Sequence, residues 1–204
     1  MNVYRQFIFP RLLDWTMSDA VLDGYRQDIL MDVSGEVLEI GFGTGLNLPF
    51  YPPDITQISA IDANPGMKSI VEKRIASSGI AVKFQTLNGE NLPMADNSFD
   101  SVVSTWTLCS IANLDRALSE IDRVLKPEGR FFFIEHGLSN EPQIQTWQNR
   151  LNPIQKFVGD GCHLNRNIGD WIASRFAIVR LEQFYLPDLP KHIGYTYKGV
   201  AAKR

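Results

Sequence analysis

The run Val37-Leu38-Glu39-Ile40 reads as a short β-strand, and it passes without a linker into Gly41-Phe42-Gly43-Thr44-Gly45. Few architectures place a glycine-rich turn directly behind a strand. Gly41 and Gly43 let the backbone turn sharply and approach a ligand closely, because no Cβ intervenes. Glycines at a tight strand-to-helix turn can equally serve sterics alone, so the reading depends on context. That context is Asp62, which follows a second β run (57–61) and lies 21 positions after Gly41. A carboxylate at this spacing can accept both hydroxyls of an adenosine ribose, whereas an isolated Asp at a strand end more often caps a turn or helix. Taken together, loop and carboxylate predict an adenosine-containing cofactor at the carboxyl ends of parallel strands.

The rest of the chain alternates in the manner such a sheet requires. Further strands are predicted over 81–86, 99–104, 130–134, 177–185 and 193–202. Helices are predicted from Gly45, over 65–77 with Pro65 at the start, over 113–125 capped by Asn113, and over 143–158 and 168–174. Residues 4–31 carry apolar positions at helical spacing, with breaks expected at Pro10 and Gly24. The aromatic run 130–134 is apolar on both faces and belongs at the centre of the sheet. The expectation is an α/β, Rossmann-like, doubly wound and mostly parallel sheet of seven strands. We expect one domain over 1–204: N-terminal helices (1–34), a cofactor-binding core (35–137), a helical cover inserted after the fifth strand (138–175) and closing strands (176–204).

Which cofactor the loop takes follows from what it lacks. A dinucleotide fingerprint wants glycine at its sixth position, and Leu46 stands there. A pyrophosphate also favours a turn free of acidic neighbours, yet Glu39 precedes this one. The carboxylate suits the cationic amino group of a methionine moiety, so the sequence favours S-adenosyl-L-methionine over a nicotinamide dinucleotide. A nucleotide-dependent oxidoreductase and a cofactor-binding protein without catalysis are the competing readings.

Composition narrows the partners. A 204-residue chain with 44% hydrophobic and 21% charged residues is ordinary for a globular protein. Its net charge of −3 offers no global attraction to nucleic acid, and none is expected as a partner. The two cysteines, Cys109 and Cys162, are too few for a disulfide framework and fit free thiols in a cytoplasmic protein. The group from Asp160 to His163, with Cys109, has metal-ligand residue types but lacks paired Cys-x-x-Cys spacing, so no metal site is expected. The apolar run Phe7-Ile8-Phe9 is too short for a signal-peptide core or a membrane anchor.

Several segments together resemble a known family. Residues 37–45 resemble the first motif of class I S-adenosylmethionine-dependent methyltransferases, and Asp62 the acidic end of their second strand. The segments Asn88-Gly89-Glu90-Asn91-Leu92-Pro93-Met94 and Asp96-Asn97-Ser98-Phe99-Asp100 resemble the ubiquinone/menaquinone-biosynthesis type. Leu125-Lys126-Pro127-Glu128-Gly129 resembles that group's Leu-Lys-Pro-Gly-Gly turn, with Glu128 in place of a glycine. This resemblance covers about residues 35–137. It implies cofactor contacts from Glu39, Gly41, Phe42 and Gly43 in the first loop, and from Asp62, Ala63 and Met67 after the second strand. It implies further contacts from Asn88, Gly89 and Glu90, with Thr105 and Trp106 at the methionine end. The residue types alone leave Met67 open as plain core and Asn88 as a turn former.

Four other segments are similar to a methyltransferase-like branch whose animal members methylate alkyl thiols: 51–53, 108–111, 160–166 and 192–195. Those animal proteins begin with a hydrophobic anchoring segment that this sequence does not show. The kinship implies a small-molecule acceptor, a thiol first, with a quinone precursor methylated at carbon or oxygen as the alternative. A thiol must lose its proton to become the nucleophile. The residues proposed for that chemistry are His136, which could equally be a satisfied strand-end histidine, and Asp160, which could equally form a turn before Gly161. His163 is a further option, and Cys162 is either a reactive thiol or a small buried hydrophobe. The aromatics Tyr4, Phe7, Trp15, Trp147, Phe157 and Trp171 are expected as core or as a roof over an apolar pocket. Residues 143–166, with the N-terminal helices, are expected to form a mobile cover over the acceptor.

Overall fold

A computed structural model of the chain describes residues 3–204. Seven strands form one sheet: β1 (Val37–Ile40), β2 (Gln57–Asp62), β3 (Ala81–Thr86), β4 (Phe99–Thr105), β5 (Leu125–His136), β6 (Ala177–Tyr185) and β7 (Tyr195–Ala202). Their order is β3-β2-β1-β4-β5-β7-β6. The first five pair in parallel, and β7 enters antiparallel between β5 and β6. The order in which strands are added reverses between β1 and β4, which are parallel neighbours whose outgoing connections run to opposite sides of the sheet. Ligands of open α/β sheets bind at such a switch point.

Helices cover both faces: α1 (Phe9–Met17), α2 (Ala20–Leu30), α3 (Lys68–Ser78), α4 (Leu114–Val124), α5 (Pro142–Val158), α6 (Ile168–Ala173) and the single turn α7 (Lys191–Gly194). The expected 3.6-residue period is plainest in α4. Leu114, Ala117, Leu118, Ile121 and Val124 are its buried residues, and the Asn113 side chain accepts from the Arg116 N–H at its start. In β5, alternation sends Phe131 and Phe133 into one core and Phe132 and Ile134 into the other. Both faces of this strand are therefore covered, as its unbroken apolar run predicts.

Differences from expectation have local causes. The N-terminal helices break at Ser18–Asp19, where Asp19 accepts from the Val21 N–H, and not at Pro10 or Gly24. Pro10 lies in the first turn of α1, where no intrahelical N–H partner is required. Gly24 sits inside α2 with open space where a Cβ would be. The helix expected from Gly45 shrinks to one 3₁₀ turn, Leu48–Phe50, because Pro49, Pro52 and Pro53 cannot supply the N–H groups a longer helix needs. Residues 126–129, expected as a turn, lie within β5, at an irregularity in its pairing with β4. Before β7, residues 191–194 coil into α7 and delay the strand to Tyr195.

Candidate active site

A cavity of about 720 Å³ lies along the carboxyl ends of β1, β2, β4 and β5. It is the size of a pocket for a drug-sized ligand. All the residues expected to hold the cofactor border it: Glu39, Gly41, Phe42, Gly43, Asp62, Ala63, Met67, Asn88, Gly89, Glu90 and Thr105. His136 and Asp160 border it as well.

The glycine loop owes its shape to left-handed backbone angles at Gly41 (φ +75°), Gly43 (+55°) and Gly45 (+80°). The first two glycines have different jobs. A Cβ on Gly41 would fall 1.9 Å from Thr107 Oγ1, so this glycine lets the loops after β1 and β4 pack together. A Cβ on Gly43 would meet only the Gly41 carbonyl oxygen, at 4.0 Å, and would otherwise stand in the cavity. Beside it, Asp62 Oδ2 accepts from the Gly43 N–H at 2.8 Å and Oδ1 from the Asn64 N–H at 2.7 Å. Burial raises the Asp62 carboxyl above its ordinary pKa, and these two bonds oppose the rise.

Glu39 is fully buried. Asn47 Nδ2 donates to its Oε1 at 2.8 Å and the Tyr51 hydroxyl to its Oε2 at 2.6 Å. Burial pushes the carboxyl up to about 7 against those two bonds and the Arg26 charge. Asn47 also reaches Thr105 Oγ1 at 3.0 Å, linking the loops after β1 and β4. Sequence reasoning missed Asn47, Tyr51 and Arg26. Their signal was faint: an amide and a phenol in a proline-rich loop, and one arginine on an otherwise apolar helix face.

The loop after β4 is strained and tightly held. Trp106 takes φ +51°, a conformation that bulky side chains rarely adopt. The buried Arg26 guanidinium stacks over its ring, 5.1 Å from the centroid. Glu135, also missed, anchors this loop by accepting from the Ser104 hydroxyl (2.8 Å), the Thr107 N–H (3.0 Å) and the Cys109 N–H (3.3 Å). Burial pushes its carboxyl up to about 7, with the backbone N–H bonds opposing. A lone acid inside the apolar run of β5 was the available sign of it.

Asn88 and Met67 fit their plainer readings and also border the cavity. The Asn88 side chain accepts from the Glu90 N–H at 2.6 Å and shapes the turn, while the residue borders the cavity. Met67 is buried and also lines it. Asp160, read as a base or as a turn former before Gly161, has the left-handed φ of a turn residue (+48°). Its Oδ2 is held by Arg5 Nε at 3.0 Å and by Asn64 Nδ2 at 3.1 Å, on the Asp62 side of the cavity. The carboxylate thus joins the N-terminal segment to the end of α5 and the loop after β2. A second link is the Tyr4 hydroxyl, which donates to the Val158 carbonyl at 2.6 Å. His163 has its Nδ1 3.1 Å from the Cys109 carbonyl oxygen.

Most of the aromatics expected as core or roof are neither. Trp15 and Phe157 are 78% and 79% exposed, and Phe7, Trp147 and Trp171 are exposed too. The cavity is roofed by Phe9, Leu12, Leu13 and Met17 from the N-terminal helix and by Val158 from α5. Amphipathic spacing identified a helix here but not which of its flanks would turn inward.

The far wall was the least expected. Cys109, His136 and Cys162 converge there from three separate segments, with Cys162 Sγ 3.5 Å from Cys109 Sγ and 3.4 Å from His136 Nδ1. His136 Nε2 is buried and has no hydrogen-bond partner among the described residues.

Comparison with known proteins gives the family. A family described as a methyltransferase domain matches residues 38–133. A thiol S-methyltransferase of Rattus norvegicus is 41% identical over 85% of this chain and 74% of its own length. A ubiquinone/menaquinone biosynthesis C-methyltransferase of Bartonella henselae is 35% identical over 79% of this chain and 64% of its own. Among solved structures, an S-adenosylmethionine-dependent methyltransferase of Thermotoga maritima superposes with a TM-score of 0.67 at 21% identity, covering 99% of both chains. No helix among the described residues is long and apolar enough to cross a membrane. The chain belongs to the S-adenosyl-L-methionine-dependent methyltransferases, in the family that includes the thiol S-methyltransferases.

Proposed function

We propose that the glycine-loop end of the cavity holds S-adenosyl-L-methionine and that the Cys–His end receives a small thiol. One observation carries this reading: a single cavity joins the open face of Gly43 and the buried Asp62 carboxylate to a wall of soft, sulfur-bearing groups. The residues fit the cofactor on their own chemistry. Asp62 retains acceptor capacity for ribose hydroxyls, and Gly43 leaves room for a close backbone approach. Asn88 and Glu90 stand where an adenine would be bounded, and Met67 supplies an apolar face. At the other end, Glu39 offers negative charge to an ammonium group, with Asn47 and Tyr51 fixing its orientation. When bound, the cofactor supplies an electrophilic methyl group on a sulfonium.

The protein's part in the transfer is mainly alignment and dryness. Trp106 and the apolar roof from α1 and α5 exclude water from the reacting centre, which strengthens local electrostatics. Orienting an acceptor for in-line attack removes much of the barrier. Cys109, His136 and Cys162 line the wall that would receive the acceptor. The test is methyl transfer from labelled cofactor to a panel of small thiols, phenols, amines and quinone precursors. A labelled thioether is the expected product. Inert thiols beside a methylated quinone precursor would transfer the assignment to the quinone-precursor reading.

The state of Glu39 makes a prediction about pH. A carboxyl titrating near 7 must ionise to receive an ammonium group, so binding of S-adenosylhomocysteine strengthens as pH rises through about 7 and releases a proton. In the cofactor-free protein the sign is opposite. A carboxyl whose pKa is raised on folding favours the folded state at low pH, and that contribution is lost as pH rises through about 7. Glu39→Gln should flatten the affinity profile in calorimetry. A profile unchanged by the substitution would remove Glu39 from the ammonium site.

The cover makes another. The links Tyr4–Val158 and Arg5–Asp160 join the N-terminal segment to the end of α5 above the cavity. Opening them admits the acceptor, and closing them shuts out water. In hydrogen exchange, cofactor plus an inert acceptor analogue should slow residues 3–17 and 142–166 more than cofactor alone does. Equal exchange in both conditions contradicts a closing cover.

A further inference from the structure

The three groups on the acceptor wall have the geometry of a metal site. Cys109 comes from the loop after β4, His136 from the end of β5 and Cys162 from the loop after α5. Their ligand atoms lie within 4.8 Å of one another, with a sulfur–sulfur separation of 3.5 Å and a sulfur–nitrogen separation of 3.4 Å. In a tetrahedral zinc site, bonds of about 2.3 Å to sulfur and about 2.0 Å to nitrogen set these edges at roughly 3.8 and 3.5 Å. Both edges at Cys162 match closely, and the Cys109–His136 edge, within 4.8 Å, would contract toward roughly 3.5 Å around an ion. Two thiols and an imidazole also form a donor set that selects a thiophilic ion over magnesium or calcium. Burial of Cys109 and His136 fixes their positions, and all three residues border the cavity, so a fourth position can stay open toward it.

We propose that Cys109, His136 and Cys162 bind one thiophilic divalent cation, zinc first, whose open position faces the acceptor. The sequence did not reveal the site because its ligands lie 26 and 27 residues apart, with no Cys-x-x-Cys pair. The ion's use rests on the thiol reading above, although the site does not. Two thiolates from the protein leave the ion able to take a third from the acceptor. The acceptor's S–H bond breaks, a metal–sulfur bond forms, and the proton passes to solvent. The sulfur is then held as a nucleophile beside the electrophilic methyl carbon. This is a different outcome from oxidation of the two cysteines, which would join their sulfurs and release two protons and two electrons to an oxidant such as a peroxide.

The test uses the full chain, fully reduced, titrated with cobalt(II) as a spectroscopic stand-in for zinc. One equivalent should bind with a thiolate-to-cobalt charge-transfer band and the intense visible bands of a tetrahedral ion. Zinc should displace it. Cys162→Ser and His136→Gln should each weaken metal binding at least tenfold while S-adenosylhomocysteine still binds, which shows that the fold persists. Adding a small thiol should shift the cobalt bands. Absence of a thiolate band in reduced protein, or a band that survives Cys162→Ser, overturns the site. A thiol that leaves the bands unmoved overturns the open position. Metal binding with no thiol methylated would instead defeat the acceptor assignment and leave the site standing.

Discussion

Gly43→Val is expected to lose measurable binding of S-adenosylhomocysteine while the protein remains folded. The expectation rests on where a side chain at this position would go. No protein atom other than the Gly41 carbonyl oxygen lies within 4 Å of an added Cβ, so the branched side chain enters the cavity and not the core. A left-handed φ of +55° adds strain of about 1–2 kcal/mol for a residue with a Cβ, and more for a β-branched one. That strain costs stability but leaves the sheet intact. Blocking the backbone approach should cost at least about a hundredfold in affinity, or roughly 2.7 kcal/mol. Calorimetry measures the first effect and thermal unfolding the second. Ordinary binding by a folded Gly43→Val protein would mean that the loop does not face the cofactor. Gly41→Val is a different experiment. Its Cβ collides with Thr107, and the damage falls on packing between the loops after β1 and β4.

Asp62→Ala should lower cofactor affinity at least tenfold. The ribose hydroxyls would lose a charged acceptor worth roughly 1.5–3 kcal/mol. The same change frees the Gly43 and Asn64 N–H groups from their shared carboxylate, so the glycine loop also loses its anchor. Asp62→Asn separates the two contributions. It keeps one side-chain oxygen for a backbone N–H while removing the charge, so a smaller affinity loss than for alanine is expected. Unchanged affinity in a folded Asp62→Ala protein would move the ribose elsewhere.

The residues proposed to hold the cofactor could be gathered from the sequence because they are fixed locally. A turn from strand to helix, the end of the next strand and the loop after the third each sit at a set place in the βαβ repeat. Spacing along the chain therefore becomes position in space, and residues 39–43, 62–67 and 88–90 meet as expected at one cavity. Period also identified the strands, including β5 with its alternating Phe131–Ile134 faces. What sequence could not give was assembly across long separations. Glu135 reaches back 31 residues to Ser104, and Cys162 lies 53 residues from Cys109. Asp160 read as a candidate base or a turn former before Gly161, and no local signal pointed to its ion pair with Arg5, 155 residues away. The exposed Trp15 and Phe157 show a further limit, since residue type predicts burial only on average.

The proposed cofactor lies between the glycine loop and the Cys–His wall, with its sulfur toward the acceptor. A crystal structure of the protein with S-adenosylhomocysteine tests this most directly. The predicted result has the ribose hydroxyls on the Asp62 carboxylate, the ammonium group beside Glu39 and the thioether sulfur open toward Cys109, His136 and Cys162. A homocysteine sulfur turned away from that wall, or an adenosine bound outside the loop of Gly41 and Gly43, would contradict it.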